Sequence, residues 1–159
     1  MFKIFKKKES VLTAPVSGAI IPIEEVPDQV FAQKMMGDGV AFQYNGMTIA
    51  SPCNGKVTMI AETKHAIGIT TDSGADVLIH IGLDTVALNG EGFEVAVSVG
   101  DKVANGQTLI TVDRELMQEK GIDLTTPMVI TNGNELKGLS VLMKKGAVTK
   151  GDTPVVKIE

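Results

Sequence analysis

From Val11 onward, short β-rich runs alternate with Gly, Pro, Asn and Asp, and this punctuation restricts the fold more than any other feature of the chain. Strand candidates lie at 19–23, 40–43, 47–50, 56–60, 66–71, 77–81, 93–97, 108–112, 128–131, 139–143 and 155–158. Runs this numerous and closely spaced predict an all-β fold, an antiparallel β-sandwich or barrel-like single domain with Gly-rich turns. Helical candidates are short. Residues 27–33 suffice for a turn or so. Residues 114–120 are the better candidate, with Asp113 placed to cap the start and Gly121 to stop the end.

The 159 residues fit one domain comfortably. The hydrophobic share of 43% allows a real core, but with 4% aromatics and no Trp it must be packed from Ile, Val, Leu and Met. A net charge of −4 argues against a nucleic-acid partner, which calls for a basic surface. Cys53 is the only cysteine, so no intrachain disulfide forms, as expected in a reducing cytoplasm; it reads as a small residue near a turn. No apolar stretch approaches a membrane span, and the N-terminus lacks the apolar core of a secretory signal.

Residues 1–10 stand apart as a flexible basic-apolar tail, leaving 11–159 as the folded domain. Residues 1–8 carry four lysines with Phe2, Ile4 and Phe5, and they read either as a solvated tail or as a weak anchor for anionic membranes. The single cysteine and the lack of a span or signal predict a cytoplasmic protein, and the tail adds peripheral contact with the inner face of the membrane as the sharper option. Within the domain, 14–23 echoes 51–60 as small-Pro-x-x-Gly-x-aliphatic-x-x-Ile, and a Gly-Asp pair recurs at Gly37, Gly100 and Gly151. With no fixed period, these read as repeated turn chemistry rather than a solenoid.

His65 and His80 are the only histidines, and Thr71-Asp72-Ser73-Gly74 between them reads as a hairpin turn. Alternate residues of a strand share a face, so His65 would lie with Ile67 and Ile69, and His80 with Leu78 and Asp76. A two-residue loop at Asp72-Ser73 would set the histidines directly opposite each other. A loop at Ser73-Gly74 would leave them diagonal on one face. An odd loop without a bulge would separate them. Directly opposed residues have Cβ atoms about 4.5–5.5 Å apart, close enough to share a proton, a phosphoryl group or a metal ion. A neutral imidazole is abundant near pH 7 and can attack phosphorus. Thr63, two positions before His65, could fix the tautomer of that ring.

The segments around these residues narrow the choice. Gly74-Ala75-Asp76-Val77-Leu78-Ile79-His80-Ile81-Gly82-Leu83-Asp84-Thr85-Val86 resembles the signature of the glucose-family IIA proteins of the bacterial sugar phosphotransferase system. Thr63-Lys64-His65-Ala66, Val26-Pro27-Asp28-Gln29-Val30-Phe31, Met35-Met36-Gly37-Asp38-Gly39 and Leu88-Asn89-Gly90-Glu91-Gly92-Phe93 match further segments of that family. The resemblance implies a β-sandwich in which His80 carries the phosphoryl group on Nε2. It implies that His65 supports transfer with Thr63 bonded to it, and that Asp84 lies nearby. It implies HPr as donor and a cysteine on the IIB domain of a sugar permease as acceptor, with no required cofactor. Regulated permeases or kinases are further partners on this reading. It also implies an apolar docking rim of Val30, Phe31, Met35, Ile60, Ile67, Leu78, Ile81 and Val86, each of which reads equally well as core.

Three rivals stand beside this. A zinc site could use His65 and His80 with Asp84 or a partner's carboxylate as third ligand; interfacial zinc is also compatible with the main reading. A biotinyl- or lipoyl-type carrier would use Lys64: Gly100-Asp101-Lys102-Val103-Ala104-Asn105-Gly106-Gln107 resembles that family, and so does Glu62-Thr63-Lys64-His65-Ala66 around its lysine. A purely regulatory binding protein is the third.

Overall fold

A computed structural model describes residues 10–159. In chain order the elements are β1 (Ser10–Thr13), β2 (Gly18–Pro22), α1 (Gln29–Ala32), β3 (Asp38–Tyr44), β4 (Thr48–Ala50), β5 (Gly55–Ile60), β6 (Ala66–Thr71) and β7 (Asp76–His80). Then follow β8 (Phe93–Val95), β9 (Lys102–Val103), β10 (Thr108–Val112), α2 (Arg114–Glu119), β11 (Thr126–Ile130), β12 (Leu139–Val141), β13 (Gly146–Val148) and β14 (Pro154–Ile158). Of the expected tail at residues 1–10, all but Ser10 lies outside the described residues, as does the expected membrane contact of residues 1–8. Ser10 already belongs to β1, opposite Ile158.

Every strand pair is antiparallel. An eight-stranded sheet runs β13-β2-β3-β11-β7-β6-β5-β9, and two three-stranded sheets run β1-β14-β12 and β4-β10-β8. The fold is the antiparallel β-sandwich that the spacing of short runs predicts. Each of the eleven candidate runs overlaps a strand. Both helices form where expected. Asp113 caps α2 by accepting from the Leu116 amide, and Gly121 ends it with φ 65°.

The large sheet has two apolar faces, and side-chain alternation sorts them. Val40, Phe42, Ile67, Ile69, Val77, Ile79, Met128 and Ile130 point into the main core, where they meet Leu12, Ile49, Ile110, Val156 and Ile158 of the small sheets. Burial of each such side chain contributes roughly 1.5–3 kcal/mol. The residues between them, Ala41, Ala66, Leu78 and Val129, form a second cluster on the other face. Ile23, Val26, Phe31 and Leu83 cover that face. This cover explains why all five residues of the central strand β11 are buried.

The internal echo in the sequence corresponds to equivalent positions. Gly18 and Gly55 open β2 and β5, and a Cβ on either would run into a carbonyl of the neighbouring strand, Gln43 or Thr70. Edge strands β13 and β9 pair with these two strands at the same glycines. Among the described residues no helix is long and apolar enough to cross a membrane.

Candidate functional site

His80 is the last residue of β7 and shares a face with Leu78, so its ring lies at the border of the second apolar cluster. Phe31 of α1 packs on one side of the ring, with centroids 5.0 Å apart. The His65 ring stands on another side, edge-on, at 4.8 Å between centroids. The two histidines do come together.

They do not meet by the expected route. Thr71 pairs with Ala75, so the turn is a three-residue loop, Asp72-Ser73-Gly74. Its third residue, Gly74, has φ 96°, the positive φ that three-residue hairpin loops commonly place there. The register therefore sets His80 opposite Ala66, without a bulge. An even loop is ruled out, and simple alternation would send His65 to the far face. His65 escapes because it is not a strand residue. The Ala61 amide donates to the Ala66 carbonyl at 3.0 Å, which makes Glu62–His65 the four-residue loop of the β5–β6 hairpin. Within that loop Lys64 adopts φ 61°. His65 still accepts from the Ile81 amide at 2.7 Å through its carbonyl, while its ring turns toward His80.

The hydrogen bonds make the two rings unequal. Nδ1 of His80 lies 2.8 Å from the Gly82 carbonyl oxygen. A carbonyl only accepts, so Nδ1 carries the proton and Nε2 of the neutral ring bears the lone pair. Nδ1 of His65 lies 2.7 Å from the Thr63 hydroxyl, which can donate as well as accept. Burial, and next the neighbouring His80, hold the His65 imidazole below the ordinary histidine range. Burial lowers His80 too, against the Gly82 carbonyl and the carboxylates of Asp28 and Asp84.

Three contributors carry little sequence signal. Gly82 supplies only a carbonyl, yet no other residue fits there: φ is 80° and a Cβ would lie 2.6 Å from Cγ2 of Thr85. Thr85 is itself held by donating to the Ile81 carbonyl at 2.7 Å. Asp28 caps α1 by accepting from the Val30 amide at 2.9 Å. Its position before a short helical run, inside a segment that matches the family, was the available hint.

Of the expected rim, Val30, Met35 and Val86 are exposed, at 41%, 69% and 55%. Phe31 and Leu78 are mostly covered, and Ile60 packs against the main core. Ile67 and Ile81 are fully buried on the opposite face of the sheet and belong to the core, not the rim. Asp84 is exposed at φ 59° and acts on His80 electrostatically. Among the described residues no group of three His, Cys, Asp or Glu side chains converges on a metal position, so Asp84 does not complete a zinc site with the histidines. Cys53 is buried and its thiol is pushed up to about 12 by that burial, which makes it a packing residue and not a nucleophile.

The chain matches, over residues 10–136, the family described as phosphoenolpyruvate-dependent sugar phosphotransferase system, EIIA 1. It is 46% identical over 153 residues to a glucose-specific EIIA component of the phosphotransferase system from Bacillus cereus, covering 96% of this chain and 92% of that protein. A glucose-specific EIIA component from Bacillus anthracis is similar to the same extent. Glucose permease IIA from Mycoplasma capricolum has the same fold, with a TM-score of 0.82 and 39% identity over 94% of this chain and 96% of that one. This chain belongs to the EIIA 1 family of the phosphoenolpyruvate-dependent sugar phosphotransferase system.

Proposed function

We propose that this chain is a phosphoryl carrier for sugar uptake: His80 accepts a phosphoryl group from phospho-HPr on Nε2 and passes it to a cysteine of a sugar-permease IIB domain. The observation that carries this reading is the bond from Nδ1 of His80 to the Gly82 carbonyl. It points the lone pair of Nε2 away from the backbone, the arrangement needed for attack on phosphorus. In the first step the Nε2–P bond forms as the bond between phosphorus and the donor breaks. In the second, a IIB thiolate attacks phosphorus and Nε2 leaves as a neutral imidazole, with Nδ1 protonated throughout.

His65 assists and does not carry. If the Thr63 hydroxyl donates to Nδ1 of His65, that ring keeps its proton on Nε2, from which it can donate to the phosphoryl oxygens. Such a donor contributes most where charge builds up in the transition state. Val30, Met35 and Val86, which are exposed, would supply apolar contacts for docking. A phosphoryl group would add charge to the docking surface, so docking of a regulated permease or kinase would respond to the phosphorylation state. Zinc could bind across the imidazoles only with further ligands from a partner, and it would then compete with phosphorylation. The lysine-rich residues 1–8 would add weak contact with anionic membranes. The relatives named for glucose make glucose the first sugar to test.

The test is transfer of labelled phosphate from phosphoenolpyruvate through enzyme I and HPr. Wild type and His65→Gln should become labelled, and His80→Gln should not. Onward transfer from His65→Gln should fall by about a hundredfold. Labelling of His80→Gln at the wild-type rate contradicts the proposal.

A further inference from the structure

We infer that Lys64 is a positioning residue for His65, acting through its left-handed backbone and not through its charge. The hydrogen-bond register would put the His65 ring on the wrong face of the sheet. His65 accepts from the Ile81 amide, and in an extended strand its side chain would project with Ile67 and Ile69 into the main core. Its ring is instead 4.8 Å from His80 on the opposite side.

The change of face takes place inside the loop Glu62–His65. There the Lys64 amide donates to the Ala61 carbonyl at 2.8 Å, closing a turn, and Lys64 takes φ 61°. Type I turns followed by one left-handed residue are a common way to close hairpins. Here that residue immediately precedes the histidine and sets the direction from which it enters. Only four non-glycine residues among those described have positive φ: Lys34, Lys64, Asp84 and Asn89. The Lys64 side chain is exposed and its stem passes beside Gly90, so the packing of the site does not explain a lysine at this position.

The requirement at residue 64 is therefore conformational. Asn and Gly adopt positive φ readily, and β-branched residues resist it. Lys64→Val should remove the nuclear Overhauser contact between the two imidazoles and lower onward phosphoryl transfer by about tenfold, the scale of the left-handed penalty. Acceptance at His80 should change by no more than about twofold, because His80 is held from β7 and Gly82. Lys64→Asn and Lys64→Gly should rescue both the ring contact and onward transfer.

An intact ring contact and wild-type onward transfer in Lys64→Val overturn the inference. So does loss of the contact in Lys64→Gly, which would show that the side chain matters. If Lys64→Val does not fold, the Asn and Gly variants decide alone: a retained contact supports the inference and a lost one overturns it. The transfer arm rests on the phosphoryl-carrier reading, and the ring-contact arm does not. Failure of that reading would leave wild-type protein unlabelled with the imidazoles still in contact.

Discussion

The imidazole of His80 donates from Nδ1 to the carbonyl of Gly82, two residues along the chain, at 2.8 Å. A strand end and the glycine just beyond it thereby fix which nitrogen of the ring is nucleophilic. Gly82 is tied in turn to Thr85 by lack of space and to Asp123 through the amide of Leu83, which donates to the Asp123 carbonyl at 2.9 Å. The tautomer of His80 is thus set by a backbone carbonyl that packing holds in place.

Gly82→Ala should test this coupling. The new Cβ would meet Thr85 Cγ2 at 2.6 Å and the Asp123 carbonyl oxygen at 3.1 Å, at a φ of 80°. Left-handed strain and overpacking together predict a loss of about 2–4 kcal/mol in urea denaturation. Phosphoryl acceptance by the folded fraction should also fall, because the carbonyl that holds Nδ1 moves.

Both histidines should titrate below their ordinary value near 6.5. Their folded pKa values are depressed, so the unfolded chain binds more protons as pH drops below 6.5. Their contribution to stability is then fully present above 6.5 and lost as pH falls through the folded values. NMR titration of the two rings, together with thermal unfolding between pH 7 and 5, should show low midpoints and falling stability. Midpoints above 6.5 contradict the burial argument. In His80→Gln the His65 midpoint should rise, since the charge of His80 is one of the groups lowering it.

Asp28 and Asp84 should act on His80 in the same sense. Each carboxylate raises its pKa against the effect of burial. Asp28→Asn keeps a residue able to cap α1 while removing the charge, and Asp84→Asn keeps one that tolerates positive φ. Each variant should move the His80 midpoint further down, and the double variant further than either. An unchanged midpoint in both single variants would remove the carboxylates from the site.

Period and punctuation revealed most of the sandwich, because a sheet with an apolar inner face leaves its mark along every long strand. The strands without such a mark are short or irregular: β9 is two residues, β13 begins at Gly146, and β1 follows directly on the lysine-rich segment. The histidine pair was legible as a pair, but the hairpin register was not. Alternation holds only within strands, and His65 sits in a loop where Lys64 reverses the backbone. Gly74, at the third position of a three-residue loop, was the available sign of an odd register. The resemblance assigns Ile67 and Ile81 to the rim, but strand alternation and register put both on the core face of the sheet. The Gly82 carbonyl had no side-chain signature at all.

The most direct measurement is the position of the phosphoryl group after incubation with phosphoenolpyruvate, enzyme I and HPr. Phosphorus NMR of the intact protein, combined with fragment masses collected under mildly basic conditions, reads both the residue and the ring nitrogen. The account predicts one acid-labile phosphoryl group, on Nε2 of His80, with Nδ1 still protonated. A phosphoryl group on His65, on Cys53 or on Nδ1 of His80 would contradict it.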